Sequence, residues 1–374
     1  MPKSWDVVVV GGGVVGCAIA YELAKEKARV LLLERDHLCS GASYASAGMV
    51  APLSDSPVDH PLSQLGFRSF KMYESFVQGV EEASGFSVEC LPSGIVRVAL
   101  TEEDEQELRA EVAVAPRLGL TVDWLDTQQA REIEPLLSPE IRGATFSPGE
   151  SQLNPSRYVE ALRRAAVAQG VTVREHTPVV GLGRNGSRVS AVRTAMDTVA
   201  AGVVVLAMGA WSRNTAEWLG IDVPVRPVRG QVVYVNKLAT PLRHTVMRGS
   251  SYAVPKGDGT TLVGTTREMA GFDQRTTAGG VASILTRIQD LVPAIAEASI
   301  NHTRAGLRPV SEDEFLLLGP VPTMEGVMLA TGHGRSGILL TPVTARLIAD
   351  LIVRGADAAE LGPHSASRLE RRAA

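Results

Sequence analysis

The sequence predicts an α/β protein that contains two sheets of different kinds. Residues 6–10 and 28–33 are short apolar runs joined by a glycine-rich turn and a helical segment, which together make a β-α-β unit. Apolar, β-branched runs of the same kind return much later, at residues 203–207 and 327–330. Several runs after residue 224 instead alternate apolar and polar side chains. Continuous apolar strands are typical of parallel sheets, whereas alternation is typical of antiparallel sheets with one exposed face. We therefore expect a parallel sheet assembled from separate parts of the chain, and a second, antiparallel sheet.

Composition and charge exclude several classes of protein. The chain has 374 residues, 45% of them hydrophobic and 21% charged, which is enough apolar sequence for a large core. The 37 basic and 41 acidic side chains leave a formal net charge of −4, so we expect no long-range attraction to nucleic acid or to an anionic membrane. No apolar run approaches the roughly 18 residues that span a bilayer, and the first residues do not resemble a secretory signal. Three cysteines without a metal-ligand spacing complete the pattern of a cytoplasmic protein with no metal site.

The first half of the chain leaves the β-α-β pattern after its second strand. The helix of that unit is predicted over residues 14–25, with a right-handed crossover. The next segments are a stretch of small residues, a long helix, a strand and a charged helix, at residues 40–48, 61–84, 95–100 and 102–114. Irregular, proline-rich structure is expected from there to about residue 155.

The second half returns to the first sheet, leaves it for the antiparallel sheet, and returns again. A helix is predicted over residues 156–169 with Ser156 as its N-cap, followed by a strand over 171–173. Residues 189–199 are predicted to form a hairpin. The strands of the antiparallel sheet are predicted at residues 228–235, 251–255, 261–265 and 299–308, with a helix over 278–291 between them. A helix over 337–354 ends the fold, and the polar tail after Gly362 is expected to fray.

The first glycine-rich turn predicts a dinucleotide site. Gly11-x-Gly13-x-x-Gly16 follows a strand and opens a helix, and Glu34 ends the next strand 18 residues after Gly16. Gly11 permits the tight turn, Gly13 lets the backbone approach a pyrophosphate, and Gly16 lets the helix pack on the strand. The helix N-terminus offers N–H donors to phosphate, and Glu34 can accept hydrogen bonds from a ribose diol.

A second glycine-rich turn favours FAD over a nicotinamide dinucleotide. Residues 331–337 lie between a strand and a helix near the end of the chain. A nicotinamide enzyme has no general need for such a turn. A reduced flavin carries negative charge near N1 and the C2 carbonyl, and a helix N-terminus stabilises that charge.

Six segments of the sequence resemble the D-amino-acid oxidase superfamily of FAD enzymes. Within that superfamily the likeness is to the glycine oxidases, including the type that makes dehydroglycine for the thiazole of thiamine. The segments are VVVVGGGVVGCAIAYELA, LLERD, SGASYASAGMVAP, VVLAMGAWS, AGLRPVS and TGHGRSGILLTPVTA. Residues 264–277 (GTTREMAGFDQRTT) also resemble the substrate-domain hairpin of the thiamine-pathway members.

The resemblance implies a discontinuous, Rossmann-like FAD-binding domain and an α+β substrate domain whose antiparallel sheet roofs the flavin. The implied boundaries are residues 1–84, 150–222 and 306–365 for the first domain, and 85–149 and 223–305 for the second. The FAD is expected to be non-covalent, because related sarcosine oxidases attach flavin to a cysteine and no cysteine follows Cys90 here. The resemblance also implies a homo-oligomer.

Carried over position by position, the resemblance assigns cofactor contacts to both glycine-rich turns, to the small-residue stretch and to strand ends. These residues are Gly11, Gly13, Val14, Val15, Gly16, Glu34, Arg35, Ala42, Ser43, Ser46, Ala47, Gly48, Met49, Val179, Ala207, Gly209, Trp211, Gly306, His333, Gly334, Arg335, Ser336, Gly337 and Ile338. Val179 is expected to contact adenine through its backbone, and residues 333–338 to surround the pyrimidine end of the flavin.

The resemblance also assigns the substrate contacts. Arg308 matches the arginine that grips the substrate carboxylate, and a guanidinium can do so with two charge-assisted hydrogen bonds. Tyr252 matches a tyrosine that donates its hydroxyl to the same carboxylate, and Met49 completes the catalytic set. Arg267, Arg335 and Ser250 are expected to tune the substrate range.

Two positions depart from the glycine-oxidase pattern. Position 267 is usually apolar there and is Arg267 here, while position 336 is often Asn and is Ser336 here. If Arg267 faces the pocket, a second cation favours an acidic or larger substrate, and if it faces solvent it has no bearing on specificity. Arg335 could serve the flavin, the substrate or the mouth of the pocket.

The leading functional hypothesis is oxidative deamination of glycine or another small amino acid or amine. In that reaction O2 accepts the electrons and gives H2O2, while the imine product yields a keto acid and ammonia. One alternative is a dehydrogenase of the same fold that passes electrons to a quinone or carrier. Another, from a different class, is an FAD-containing structural or assembly protein without turnover.

Overall fold

The computed structural model describes residues 4–53 and 59–372 of the chain. The strands are β1 (Trp5–Val10), β2 (Val30–Leu33), β3 (Met49–Val50), β4 (Ile95–Ala99), β5 (Asp123–Leu125), β6 (Gly143–Ser147), β7 (Ser151–Gln152), β8 (Thr172–Arg174), β9 (Val179–Asn185), β10 (Arg188–Thr194), β11 (Thr198–Leu206), β12 (Val225–Val235), β13 (Thr245–Arg248), β14 (Ser251–Pro255), β15 (Thr261–Gly264), β16 (Ile300–Ser311), β17 (Leu317–Pro320) and β18 (Val327–Thr331). The α-helices are α1 (Val14–Lys25), α2 (Pro61–Ser84), α3 (Glu102–Val114), α4 (Thr127–Ile133), α5 (Pro155–Ala168), α6 (Ala216–Leu219), α7 (Ala278–Gln289) and α8 (Thr341–Ala349). Within the described ranges no helix is long and apolar enough to cross a membrane.

The first sheet confirms that separate parts of the chain return to one sheet, which is parallel except for the antiparallel pairs β17–β18, β10–β11 and β9–β10. Its strands lie in the order β17-β18-β11-β1-β2-β8, and the β9–β10 hairpin extends β11. The pairs β1–β2, β2–β8, β1–β11 and β11–β18 are parallel. Helix α1 packs against α5 and α8 on one face, where the largest core cluster lies. A second apolar cluster fills the other face.

The second sheet confirms the antiparallel expectation, with one exception. Its strands lie in the order β16-β12-β15-β14-β13-β4-β6-β5. All of these pairs are antiparallel except β4–β13, which is parallel. Helices α4 and α7 belong to the apolar cluster on one face of this sheet. Its other face is turned toward the first sheet, and it carries Tyr252 packed near Ala47 and Ala51. The predicted domain boundaries remain a prediction.

Three local predictions in the middle of the chain are wrong. Helix α5 begins at Pro155, and its N-cap is Asn154, whose side chain accepts a hydrogen bond from the Arg157 N–H at 3.3 Å. Ser156 therefore lies inside the helix, because Asn followed by Pro is the stronger start signal. The segment expected to be irregular up to residue 155 contains β5, α4, β6 and β7. The hairpin predicted over residues 189–199 is confirmed by the antiparallel pair β10–β11, but the strand predicted separately at residues 203–207 is the continuation of β11, whose later residues pair with β1.

The end of the chain also differs from its prediction. Helix α8 begins at Thr341 rather than at residue 337, and a π-helical turn over Asp350–Arg354 follows it. The tail does not fray within the described residues. Ala366 and Leu369 are buried in the cluster behind the first sheet, and Arg368 pairs with Asp313 at 3.0 Å. Two apolar side chains in a polar tail are a weak signal in sequence, but a neighbouring surface is available to bury them.

Candidate active site

One cavity of about 840 Å³ between the two sheets brings together almost every predicted site residue. Both glycine-rich turns, the small-residue stretch and the second sheet contribute to its wall. The predicted residues that line it are Gly11, Gly13, Val14, Val15, Glu34, Arg35, Ala42, Ser43, Ser46, Ala47, Gly48, Met49, Val179, Ala207, Gly209, Trp211, Ser250, Tyr252, Arg267, Gly306, Arg308, His333, Gly334, Arg335, Ser336, Gly337 and Ile338. Gly16 does not line the cavity.

Close packing explains the glycines of the first turn. Gly11 has φ +112°, and a side chain there would collide with the Ala207 carbonyl oxygen on the neighbouring strand. A side chain at Gly16 would collide with the Gly11 carbonyl oxygen, so Gly16 supports the turn from behind. Gly13 caps the N-terminus of α1 with extended backbone and no side-chain hydrogen bond. The turn therefore presents bare backbone to the cavity, as a bound pyrophosphate requires.

The acidic residue at the end of β2 holds the turn as well as facing the cavity. The Gly12 N–H donates to Glu34 Oε2 at 2.7 Å, and the Asp36 N–H donates to Glu34 Oε1 at 2.9 Å. Each carboxylate oxygen can accept more than one hydrogen bond, so Glu34 retains acceptor capacity toward a diol. The first N–H of α1, from Val14, donates to Ser43 Oγ at 3.1 Å. Ser43 thus joins the small-residue stretch to the helix N-terminus.

The small residues after β2 allow the two sheets to approach one another. A side chain at Gly306 in β16 would meet Ala45 Cβ at 2.7 Å and Ala42 Cα at 3.3 Å. Gly48 has φ +79°, and a side chain there would collide with the Leu153 carbonyl oxygen. Larger residues at these positions would separate the small-residue stretch from its neighbours. This segment is therefore a close-packed wall of the cavity.

The second glycine-rich turn is tied to the second sheet. The Gly334 N–H donates to the Pro309 carbonyl at 2.9 Å, directly after Arg308 in β16. His333 is buried, with Nε2 3.0 Å from Thr344 Oγ1, and burial lowers its pKa to about 4. The imidazole is therefore neutral at physiological pH. Because α8 begins only at Thr341, the helix N-terminus lies four residues after the expected start at residue 337 and two residues after Leu339, which lines the cavity.

Arg308 is a cation held at the wall of the cavity by neutral groups. Its Nη1 donates to the Thr266 carbonyl at 3.0 Å, and its Nη2 donates to Thr265 Oγ1 at 2.8 Å. A side chain at Gly230, on the neighbouring strand, would collide with the guanidinium of Arg308, so a glycine is needed there to leave space for it. Within the described part of the chain, no carboxylate forms an ion pair with Arg308. A cation fixed in this way, and facing a cavity, is suited to bind an anionic ligand.

Tyr252 lies on the same face of the sheet as Arg308. It is buried and pairs in register with Gly264, and a side chain at Gly264 would collide with its ring. Burial lowers the pKa of Arg308, while the Tyr252 hydroxyl opposes that shift and the charges of Arg335 and Arg267 add to it. These three neighbours are therefore close enough to act on the guanidinium electrostatically. A hydroxyl and a guanidinium side by side can donate hydrogen bonds to the same anion, and we call this pair, Arg308 and Tyr252, the clamp.

Arg267 stands at the mouth of the cavity and faces both the cavity and solvent. Its side chain is 73% exposed, and its Nη2 lies 4.0 Å from Glu314 Oε1, whose side chain is 71% exposed. Both residues line the cavity. An ion pair this exposed contributes little to stability, so Arg267 remains able to bind a second partner. Ser250 lies beside the clamp, with its carbonyl accepting the Thr265 N–H at 3.1 Å.

Some site residues were missed by sequence reasoning. Thr265 and Thr266 hold Arg308, but they come from a strand end far from it in sequence. Phe272, which does not line the cavity, stacks on the predicted site residue Trp211 with ring centroids 5.6 Å apart, and the predicted Arg35 lies over the same ring at 3.8 Å from its centroid. The GTTREMAGF segment carried a signal for this loop, although not for its stacking.

The residues present fit FAD. The cavity runs from the glycine turn and Glu34, which suit a pyrophosphate and a ribose, to the Arg308 clamp on the second sheet. A glycine-rich turn at the first strand–helix junction, which faces a guanidinium on a second sheet across one cavity, is the arrangement expected of a flavin-dependent oxidoreductase. A family model described as FAD dependent oxidoreductase (DAO) matches residues 6–351, and the chain belongs to this family. The protein is therefore an enzyme whose cofactor is FAD.

Individual relatives extend over nearly the whole chain. A glycine oxidase from Geobacillus kaustophilus is 36% identical over 370 residues, covering 98% of each chain. A solved structure of a glycine oxidase from Geobacillus kaustophilus has a TM-score of 0.92 at 36% identity, covering 98% of this chain and 99% of that one. The bifunctional protein ThiO/ThiG of Synechocystis sp. is 33% identical over 362 residues, which are 94% of this chain and 52% of that protein.

Proposed function

We propose that this enzyme oxidises glycine or another small amino acid or amine at its α-carbon. A primary amino acid, O2 and water give a keto acid, ammonia and H2O2. The observation that carries this proposal is the half-buried Arg308, held by neutral groups beside Tyr252, in the same cavity as the nucleotide turn. A sequence identity of 36% to a glycine oxidase over 98% of the chain supports the small-substrate assignment.

In this mechanism the clamp orients the substrate. Arg308 binds the substrate carboxylate through two parallel hydrogen bonds, and Tyr252 donates its hydroxyl to the same group. Two contacts on one carboxylate fix the direction of the Cα–H bond, and orientation of this kind supplies much of the rate. Bound FAD supplies the two-electron acceptor. The substrate then loses a hydride from Cα and a proton from nitrogen, and water hydrolyses the resulting imine.

The cofactor contacts follow the cavity wall. We propose that the backbone N–H groups of Gly13 and Val15 bind the pyrophosphate and that Glu34 binds the ribose of the adenosine half. The segment from Ala42 to Met49 and the turn from His333 to Ile338 would enclose the rest of the cofactor. No cysteine within the described ranges lines the cavity, which supports a non-covalent cofactor.

A role in supplying dehydroglycine for the thiamine thiazole is a narrower form of the same proposal. It is supported by the similarity to about half of a protein named bifunctional protein ThiO/ThiG, of which the match covers 52%. The homo-oligomeric state implied by family resemblance remains a prediction.

The experiment is a product assay on the purified holoenzyme in air. Glycine, sarcosine, D-alanine and methylamine are supplied separately, and H2O2, ammonia and the keto acid are measured. We expect equal amounts of the three products from glycine and from D-alanine. Sarcosine should give methylamine in place of ammonia because its nitrogen carries a methyl group. Methylamine should give little product because it lacks a carboxylate. Flavin reduction by an amino acid without H2O2, but with turnover on a quinone, would instead establish the dehydrogenase alternative. No reduction by any amino acid or amine would support the non-catalytic alternative.

A further inference from the structure

Lys256 directly joins the second sheet to the small-residue segment of the cofactor site. It is the residue directly after β14, and it lies four residues after Tyr252. Its Nζ donates to the Ala47 carbonyl at 2.6 Å and to Gln152 Oε1 at 2.8 Å, and it lies 3.5 Å from the Leu153 carbonyl. Each acceptor belongs to a part of the chain more than 100 residues away. The ammonium group is therefore a cross-link between distant segments.

Gln152 completes the cross-link from the other side. Its Nε2 donates to the Pro255 carbonyl at 2.6 Å, while its Oε1 accepts from the adjacent Lys256. Gln152 is buried and pairs with Met49 between β7 and β3. The end of β14 is thus bonded to the strand that carries Met49, as well as to Ala47 directly.

The environment of Lys256 is unusual for a lysine that serves only solubility. Burial of the ammonium group lowers its pKa to about 7, while Asp258 and Glu89 oppose that shift and Arg304 adds to it. Its hydrogen-bond acceptors are uncharged oxygens rather than a carboxylate. A lysine is costly to bury, and an uncharged long side chain would fill the same space without that cost. Three oxygens converging on one nitrogen instead select a donor with several N–H bonds.

We propose that Lys256 is a positioning residue that fixes the substrate strand β14 relative to the cofactor segment Ala47–Met49. This inference rests on the proposed function, because it assigns the substrate clamp to one side of the cross-link and the cofactor to the other. Without Lys256, the bond from Gln152 to the Pro255 carbonyl is left to join the two sides, and the direct bond to Ala47 is lost, so the spacing between the two sides is held less firmly. Loss of alignment slows hydride transfer, while a clamp that is itself intact still binds the carboxylate.

The test compares Lys256→Met and Lys256→Arg with an exposed control, Lys237→Met. Lys237 lies just after β12 on the same sheet and its side chain is exposed. Two readouts are taken: the FAD dissociation constant from titration of apoprotein, and anaerobic flavin reduction as a function of amino acid concentration. For Lys256→Met we expect weaker FAD binding and a limiting reduction rate at least about tenfold lower, with the half-saturating amino acid concentration changed less than threefold. Lys256→Arg should recover most of both, and Lys237→Met should match the wild type.

A double-mutant cycle with Gln152→Leu separates positioning from general stability. Gln152 and Lys256 act in one cross-link, so the double variant should be little worse than the more damaging single variant. Additive losses, or a Lys256→Met enzyme with FAD affinity and reduction rate within threefold of the wild type, would overturn the proposal, whatever the change in Tm. If the wild type is reduced by no amino acid, the proposed function fails. The FAD dissociation constants of the cycle still decide whether Lys256 holds the cofactor segment.

Discussion

Replacing Arg308 with alanine tests the carboxylate clamp that defines the proposed substrate class. The guanidinium is held by Thr265 and Thr266, and no carboxylate pairs with it within the described ranges. A substrate carboxylate entering this cavity loses hydration and needs a fixed cation to offset that loss. Leaving one charge of such a pair uncompensated costs about 3–5 kcal/mol. We therefore expect kcat/KM for an amino acid to fall by a factor of about 10² to 10³ or more.

The assay is steady-state H2O2 production, with flavin content measured for each variant. Arg308→Lys should recover only part of the loss, because a point charge does not hold the plane of a carboxylate. FAD should stay bound in both variants, since Arg308 belongs to the second sheet. Arg226, an exposed arginine of β12 on the same sheet, provides the control Arg226→Ala, which should be unchanged.

An amine that lacks a carboxylate gives the decisive comparison. Such a substrate should react poorly with the wild type and should be nearly indifferent to Arg308→Ala, because it never used the clamp. If amino acid turnover by Arg308→Ala stays within threefold of the wild type while the flavin is intact, Arg308 does not bind the substrate carboxylate. The main support for the substrate assignment is then lost.

Three further predictions concern the cofactor, the cavity mouth and pH. Acid precipitation should release intact FAD into the supernatant, and flavin that stays with the polypeptide would show a covalent bond. Arg267→Met should change the ratio of kcat/KM between glycine and acidic amino acids, with little change in the limiting reduction rate; equal effects on every substrate would reject a role in specificity. Burial raises the pKa of Glu111 to about 7 from an ordinary 4.5, so the folded state binds an extra proton between these values. The free energy of unfolding should therefore fall by about 3 kcal/mol as pH rises from 4.5 to 7. Glu111→Gln should reduce this change of the free energy of unfolding with pH, as measured by urea titrations at several pH values. An unchanged pH dependence in the variant would reject the raised pKa of Glu111.

Features set by neighbouring residues in sequence were predicted well. The bounds of α2, Pro61–Ser84, are confirmed because both ends carry local signals. His60 accepts the Leu62 N–H at 3.2 Å before a proline, and Gly85 ends the helix with φ +61°. The first glycine turn was recognised for the same reason, since its glycines, helix and acidic residue are all local.

Features set by distant contacts were not predictable from local pattern. The cross-link of Lys256 to Ala47 spans more than 200 residues, and nothing near either residue indicates the other. The start of α8 at Thr341 was missed because apolar spacing extends back through the turn, although Pro342 in the first turn is a start signal. Gly16 was expected to contact the cofactor, yet it acts one layer behind, by packing against Gly11.

Anaerobic mixing of the holoenzyme with glycine, followed by the visible flavin absorption, shows directly whether this enzyme oxidises glycine. The yellow flavin band should bleach fully in a single turnover, with one equivalent of glyoxylate and one of ammonia formed per flavin. The flavin of Arg308→Ala, at the same flavin content, should bleach far more slowly under the same conditions. A wild-type flavin that stays oxidised with glycine and with every other small amino acid, yet is reduced readily by dithionite, would contradict the proposed oxidation of small amino acids.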